Sequence, residues 1–224
     1  VGFQAAWADL STPSANYTLM AGGRDRTLTA SLLGVWDTRD YVYYPRRGSF
    51  FQLAMEQTRW VDTSYAYFQH HADLRAYFPF QGGIVAGKLW ATIQNIQTPL
   101  YRKVTFPTGL IRNGEVSLWR VKTAIAFALE YRFTLIPMFY VSLPSLPWIG
   151  DYTERLPFGV EGLIFWDRGN LWKEKGIPPH QSWAIGGGFH FRVPYLEIIS
   201  VSWGWGPTDR FGQPNVFIAN RLTF

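Results

Sequence analysis

Hydrophobic and polar positions alternate along most of this chain, and the alternation is longest at residues 118–136. Every odd position from Val121 to Leu135 except Thr123 is large and apolar, whereas the even positions are small or polar and include Arg120, Lys122, Glu130 and Arg132. A period of two predicts a strand whose side chains point alternately to two faces. One greasy face and one charged face over such a length is what a strand between lipid and a polar lumen requires.

The same reading extends through the sequence. The last segment, Asn215 to Phe224, sets Val216, Ile218, Leu222 and Phe224 on one face. Before it, Ile199, Val201, Trp203 and Trp205 alternate with Ser200, Ser202 and Gly204, and Trp183, Ile185, Phe189 and Phe191 alternate with Ala184, Gly186, Gly188, His190 and Arg192. Further strands are predicted at 158–168, 82–94, 64–78, 48–60, 27–37 and 16–23. The outward residues expected to face lipid include Phe127, Leu129, Phe133, Trp183, Phe191 and Trp203. The expectation is an all-β, antiparallel transmembrane β-barrel of about ten strands, with twelve as the alternative. Residues 1–15 are read as an N-terminal segment or an extra strand, and residues 16–224 as the barrel domain. The apolar stretch 137–155 is read as a linker on the side of the short turns at 79–83 and 194–197. The longer connections, 95–117, 169–181 and 206–214, fall on the other side, expected to be extracellular.

Composition agrees with this picture. The 224 residues hold 11 Trp, 12 Tyr and 17 Phe, 18% aromatic, as interfacial girdles demand. Mean hydropathy is −0.07, because half of each barrel strand is polar. No stretch is apolar for the roughly 18 residues of a helical span. The chain has no cysteine, so disulfides and a lipidated N-terminal Cys are excluded. A signal peptide is absent from this sequence and is taken as already removed. The net charge of +5 is spread singly along strands, which suits anionic headgroups and not nucleic acid.

Four local patterns follow one another: Asp-Thr-Arg-Asp at 37–40 with Pro45 and Arg47-Gly48-Ser49, then Gly109 to Gly114, Leu129 to Phe133, and Phe165 to Asn170. In this order and spacing they resemble the barrel of the BamA/TamA outer-membrane assembly factors, the bacterial surface antigen family, over about residues 27–224. The resemblance implies a Gram-negative outer-membrane location, insertion by the outer-membrane assembly machinery, and an extracellular loop folded into the lumen. It also implies that the loop arginine, Arg112, pairs with Glu130 and with Asp167 of an Asp-X-Gly element ending at Gly169. By parity alone Glu130 points inward, and a buried carboxylate needs a partner. This loop reads Ile-Arg-Asn-Gly where the family has Arg-Gly-aromatic. Arg112 exposed, with Glu130 paired to Arg120, Lys122 or Arg132, is therefore the other open arrangement. Asp37, Arg39, Asp40 and Arg47 are read as a turn brace.

The sequence is shorter than the family's full barrels, and the expectation is a short form without their periplasmic receptor domains. With small inward residues and interleaved charges, a closed lumen or very narrow channel is expected. The first functional expectation is therefore a structural or lipid-organising barrel, alone or as a homo-oligomer, with phospholipid or lipopolysaccharide as its partner. A passive channel, or a translocation barrel with separate periplasmic partners, is the second. The third is a lipid-modifying enzyme using inward His71 and Asp73. No Gly-X-Ser-X-Gly or His-Glu-X-X-His spacing is present, so no enzyme, cofactor or metal is expected.

Overall fold

Alternating, β-branched and aromatic residues build strands wherever one face can be buried. The computed structural model describes residues 1–11, 24–95, 104–105, 110–112, 120–142, 154–172, 180–195, 197–207 and 214–219. Within them lie β1 (Gly2–Ser11), β2 (Arg24–Asp37), β3 (Gly48–Trp60), β4 (Ala66–Phe80), β5 (Gly83–Gln94), β6 (Val104–Thr105), β7 (Arg120–Val121), β8 (Thr123–Val141), β9 (Leu156–Trp172), β10 (His180–Val193), β11 (Glu197–Trp205) and β12 (Asn215–Ala219). Ten form one antiparallel sheet in the order β1-β2-β3-β4-β5-β8-β9-β10-β11-β12, and β6 pairs with β7 separately. Among the described residues there is no helix, and no ladder joins β1 to β12. The strand expected at 16–23 and the final residues 220–224 lie outside the described residues.

Gly2–Ser11 pairs with β2 along its whole length, from Gly2 opposite Leu33 to Ser11 opposite Arg24. The turns expected to be short are short, but their side also carries the ten-residue β2–β3 connection, and the β3–β4 connection on the other side has five residues. Gln81 and Gly82 join β4 to β5 with φ of 44° and 77°, the two left-handed residues of a tight hairpin. The strands β2–β5 and β8–β10 are longer than the 9–11 residues a tilted span needs, from 12 residues in β5 to 19 in β8.

The stretch 137–155 is not a linker from its start. β8 runs on to Val141, opposite Leu156 of β9, with register shifts between Thr134 and Ile136 and between Ile136 and Phe139. Pro137, which has no N–H for a ladder, sits in the second irregularity. Each extra residue resets the parity, so the alternation is lost in the sequence while the strand continues. Residues 143–153 lie outside the described residues.

Burial follows the two faces. On β8, Ala124, Ala126, Ala128, Glu130 and Arg132 are buried, whereas Ile125 and Leu129 are exposed. The expected lipid-facing residues sit on the outer face: Leu129 and Trp183 exposed, and Phe127, Phe133, Phe191 and Trp203 half-buried against neighbouring outer rings. Leu28, Trp36, Phe68, Phe78, Ile164 and Ile185 extend the band. An apolar exposed surface of this extent is stable against lipid, not water. The sheet also wraps on itself: Tyr44, after β2, lies 3.4 Å from His190 on β10 across the interior.

Candidate functional site

The inner wall supplies paired charges on a bed of small residues. Glu130 and Arg132 are two apart on β8 and so share a face. Asp167 lies on β9 opposite Ala128 and beside Ala184 of β10. Glu130 is flanked by Ala86 of β5 and Phe165 of β9. Alanine on three sides leaves the carboxylates room for a guest above the wall.

The connection between β5 and β8 provides that guest. Its Leu110 packs with Trp90, Ala124, Ala126 and Leu171, and its Ile111 with Leu163, Phe165 and Ala184. These two side chains anchor the loop inside, and Arg112 follows at 4% exposure. Arg112 Nε and Nη2 donate to Asp167 Oδ2 and Oδ1, both at 2.9 Å. Its backbone N–H adds a third bond to Oδ2 at 3.0 Å. Nη1 donates to Glu130 Oε2, and the guanidinium lies 3.8 Å from the centre of the Phe165 ring. A planar fork serving two carboxylates and one ring face is chemistry that Lys cannot reproduce.

Glu130 has a second cation. Arg132 Nε donates to its Oε1 at 2.5 Å, so Glu130 has the strand neighbour of the second arrangement as well, while the exposed Arg112 of that arrangement is not found. The cluster holds two positive and two negative groups and is neutral, which is what permits its burial. Gly169 lies on β9 opposite Ala126 and Ser182, one inward position beyond Asp167.

The other end of the interior is entered by the β2–β3 connection. Tyr44 is 2% exposed, its ring held between the guanidinium groups of Arg132 at 4.8 Å and Arg192 at 4.3 Å. Arg132 Nη1 also donates to Pro45 O at 3.4 Å. Tyr44, Phe165 and the second role of Arg132 were not legible in the sequence. The only hint was Tyr43-Tyr44-Pro45, an aromatic pair where a surface turn would be polar.

The brace residues shape this same connection. Arg39 pairs with Asp37 at 2.6 Å, and Thr38 and Ser49 close the neck by mutual hydrogen bonds. Asp40 Oδ1 accepts N–H bonds from Tyr41, Arg46 and Arg47 at 3.0, 2.9 and 3.3 Å. Arg47 thus contributes its backbone, and its side chain is exposed. Partial burial opposes ionisation of Asp40, but the N–H bonds outweigh it and hold the carboxyl below its ordinary range. A lowered folded-state value gives stability that is present above the ordinary carboxylate pKa and disappears as pH falls through the lowered one. Asp40→Ala is expected to cost about 1 kcal/mol in urea unfolding at neutral pH. The difference from wild type should shrink below the ordinary carboxylate range. A pH-independent difference would show that the charge has no part in the brace.

His71 and Asp73 both lie on the inner face, but Arg75 holds the carboxylate at 2.9 and 2.6 Å. The His71 ring instead sits edge-on to Trp90 at 5.2 Å.

Comparison with known proteins agrees with the geometry. The Omp85 superfamily domain matches residues 2–108. The fold is similar to that of BamA from Haemophilus ducreyi lacking POTRA domains 1-3, with a TM-score of 0.55 and 14% identity, over 87% of this chain and 41% of that one. The chain therefore spans less than half the length of that relative. No curated protein matches the sequence. Taken together, the matches and the ten-stranded antiparallel sheet show a BamA-like β-barrel fold.

Proposed function

We propose that this chain is an integral barrel of the Gram-negative outer membrane whose interior is closed by its own connections, and which organises membrane lipid through its outer wall, alone or as a homo-oligomer. The observation that carries this reading is the buried Arg112 fork on Glu130 and Asp167. A loop tied into the wall by charge-assisted bonds is a stopper with a high cost of removal. Tyr44, gripped by two arginines, obstructs the other end. With the interior filled, the exposed apolar band is the surface left to act.

A second reading, an assembly or translocation barrel with separate periplasmic partners, is favoured by the Omp85 superfamily match. In that reading the loop lock is a positioning element and the interior opens during work.

Planar-bilayer recordings separate the two. The closed barrel is expected to show no steady single-channel conductance, and native mass spectra of the detergent-solubilised protein should show retained lipid. Steady conductance from a lipid-free monomer would overturn the closed, lipid-organising reading.

A further inference from the structure

At the end of the barrel that carries the short turns, a pocket of about 400 Å³ lies between the inner wall and the β2–β3 connection. Its lining holds no member of the Arg112 cluster, and Tyr44, which also lines it, stands between the two. Met138, Pro157 and Ile198 form an apolar floor, and Arg155 and Arg192 enter it beside Tyr41, Tyr43, Tyr140 and Tyr195. Arg155 and Tyr195 are held in the left-handed region, at φ of 52° and 67°, conformations that cost energy in residues other than glycine.

The pocket is rich in donors and poor in acceptors. Arg155 lies over the Tyr140 ring at 5.4 Å, and among the described residues no carboxylate is within ion-pair distance of it. Arg192 donates one bond to Glu161 at 3.1 Å and still lines the space. The hydroxyl groups of Tyr41, Tyr43, Tyr140 and Tyr195 make no hydrogen bond to the described protein. Guanidinium and phenol groups lining one space, with no carboxylate in the lining, suit an anion with several acceptor oxygens.

We infer that this vestibule binds a phosphate group, and specifically the phosphate of an anionic phospholipid. Its location supplies the second part. The site is at the strand ends, where tyrosine and arginine mark headgroup depth in a barrel. The apolar floor takes the glycerol and the first methylenes, which a free phosphate would leave unfilled. The inference rests on the reading of the chain as a membrane barrel but is independent of whether the interior conducts.

The test uses the whole chain in detergent, titrated with phosphatidylglycerol, phosphatidylcholine or inorganic phosphate, with occupancy read by native mass spectrometry. Wild type is expected to retain phosphatidylglycerol saturably and to prefer it over phosphatidylcholine. Arg155→Gln should weaken that retention roughly tenfold or more, since a charge-assisted bond is lost. Tyr140→Leu should weaken it less. Arg46→Gln, on the same connection but outside the pocket, should leave it unchanged. A heat-modifiable band on cold gels confirms that each variant is folded. Equal retention of phosphatidylglycerol by wild type and folded Arg155→Gln would overturn the site. Inorganic phosphate binding as tightly as the lipid, with the same loss in Arg155→Gln, would overturn the lipid assignment. Conductance of the wild type bears on the closed-lumen reading alone, so the two can fail separately.

Discussion

Arg112→Ala is expected to lower the stability of the folded barrel by about 3–5 kcal/mol, because it leaves buried Asp167 without a cation and takes one of two from Glu130. Asp167 loses both side-chain bonds and keeps only the N–H of residue 112, and Glu130 is left with Arg132 alone. Urea unfolding in detergent micelles, followed by tryptophan fluorescence and by band shift on cold gels, measures the change. Arg112→Lys keeps the charge but not the fork, and should fall between the two. The double variant Arg112→Leu with Asp167→Leu is the decisive companion. It leaves Glu130 and Arg132 as a matched pair among apolar neighbours, and should recover most of the loss. A double variant no more stable than Arg112→Ala would mean that the loop is held by something other than this charge balance. An unperturbed Arg112→Ala would remove the lock from the account of the protein.

The second large effect is expected from the smallest change. Gly186 on β10 faces Gly204 on β11 and Phe165 on β9. A Cβ at position 186 would lie 2.1 Å from the Trp203 carbonyl oxygen, 2.6 Å from Gly204 Cα and 2.8 Å from Phe165 Cζ. Backbone atoms in a ladder cannot yield without breaking it, so Gly186→Ala should cost about 2–3 kcal/mol by overpacking. The same methyl group would lift the Phe165 ring away from the Arg112 guanidinium. Gly87→Ala is the matched control. It lies on the outer face with nothing within 4 Å of its added Cβ, and should be neutral or stabilising by up to about 1 kcal/mol. The same unfolding series reads both. Equal effects at the two positions would show that inner-wall crowding is not what requires glycine at 186.

The Gly186 case also shows what a linear sequence leaves undecided. Gly87, Gly162, Gly186, Gly187 and Gly188 look alike in it. Parity assigns each to a face, but only the approach of β11 makes 186 intolerant of a methyl group while 87 stands open. The Arg112 cluster was half legible in the same sense. Glu130 is inward by period, and the resemblance pointed Arg112 at it. That Arg132 shares Glu130 and also reaches Pro45 depends on how far the β2–β3 connection dips into the interior.

What the sequence determined by itself is local and periodic. Alternation is a property of consecutive residues, so it assigns strands, faces and the lipid-exposed band without knowledge of any distant contact. It succeeds from β2 through β5 and on β8 up to Thr134. It fails where a bulge inserts a residue, as around Pro137, because parity is then reset while pairing with β9 continues. Apart from the Arg112 pairing that the resemblance implied, the tertiary structure decided which connections turn inward and what they meet. Leu110, Ile111 and Arg112 lie far along the chain from Asp167, and Tyr44 from His190. Their encounters are set by the wrapping of the sheet and by the space that Ala86, Ala128 and Ala184 leave on its inner wall. Those quantities are sums over many residues, and no window of the sequence contains them.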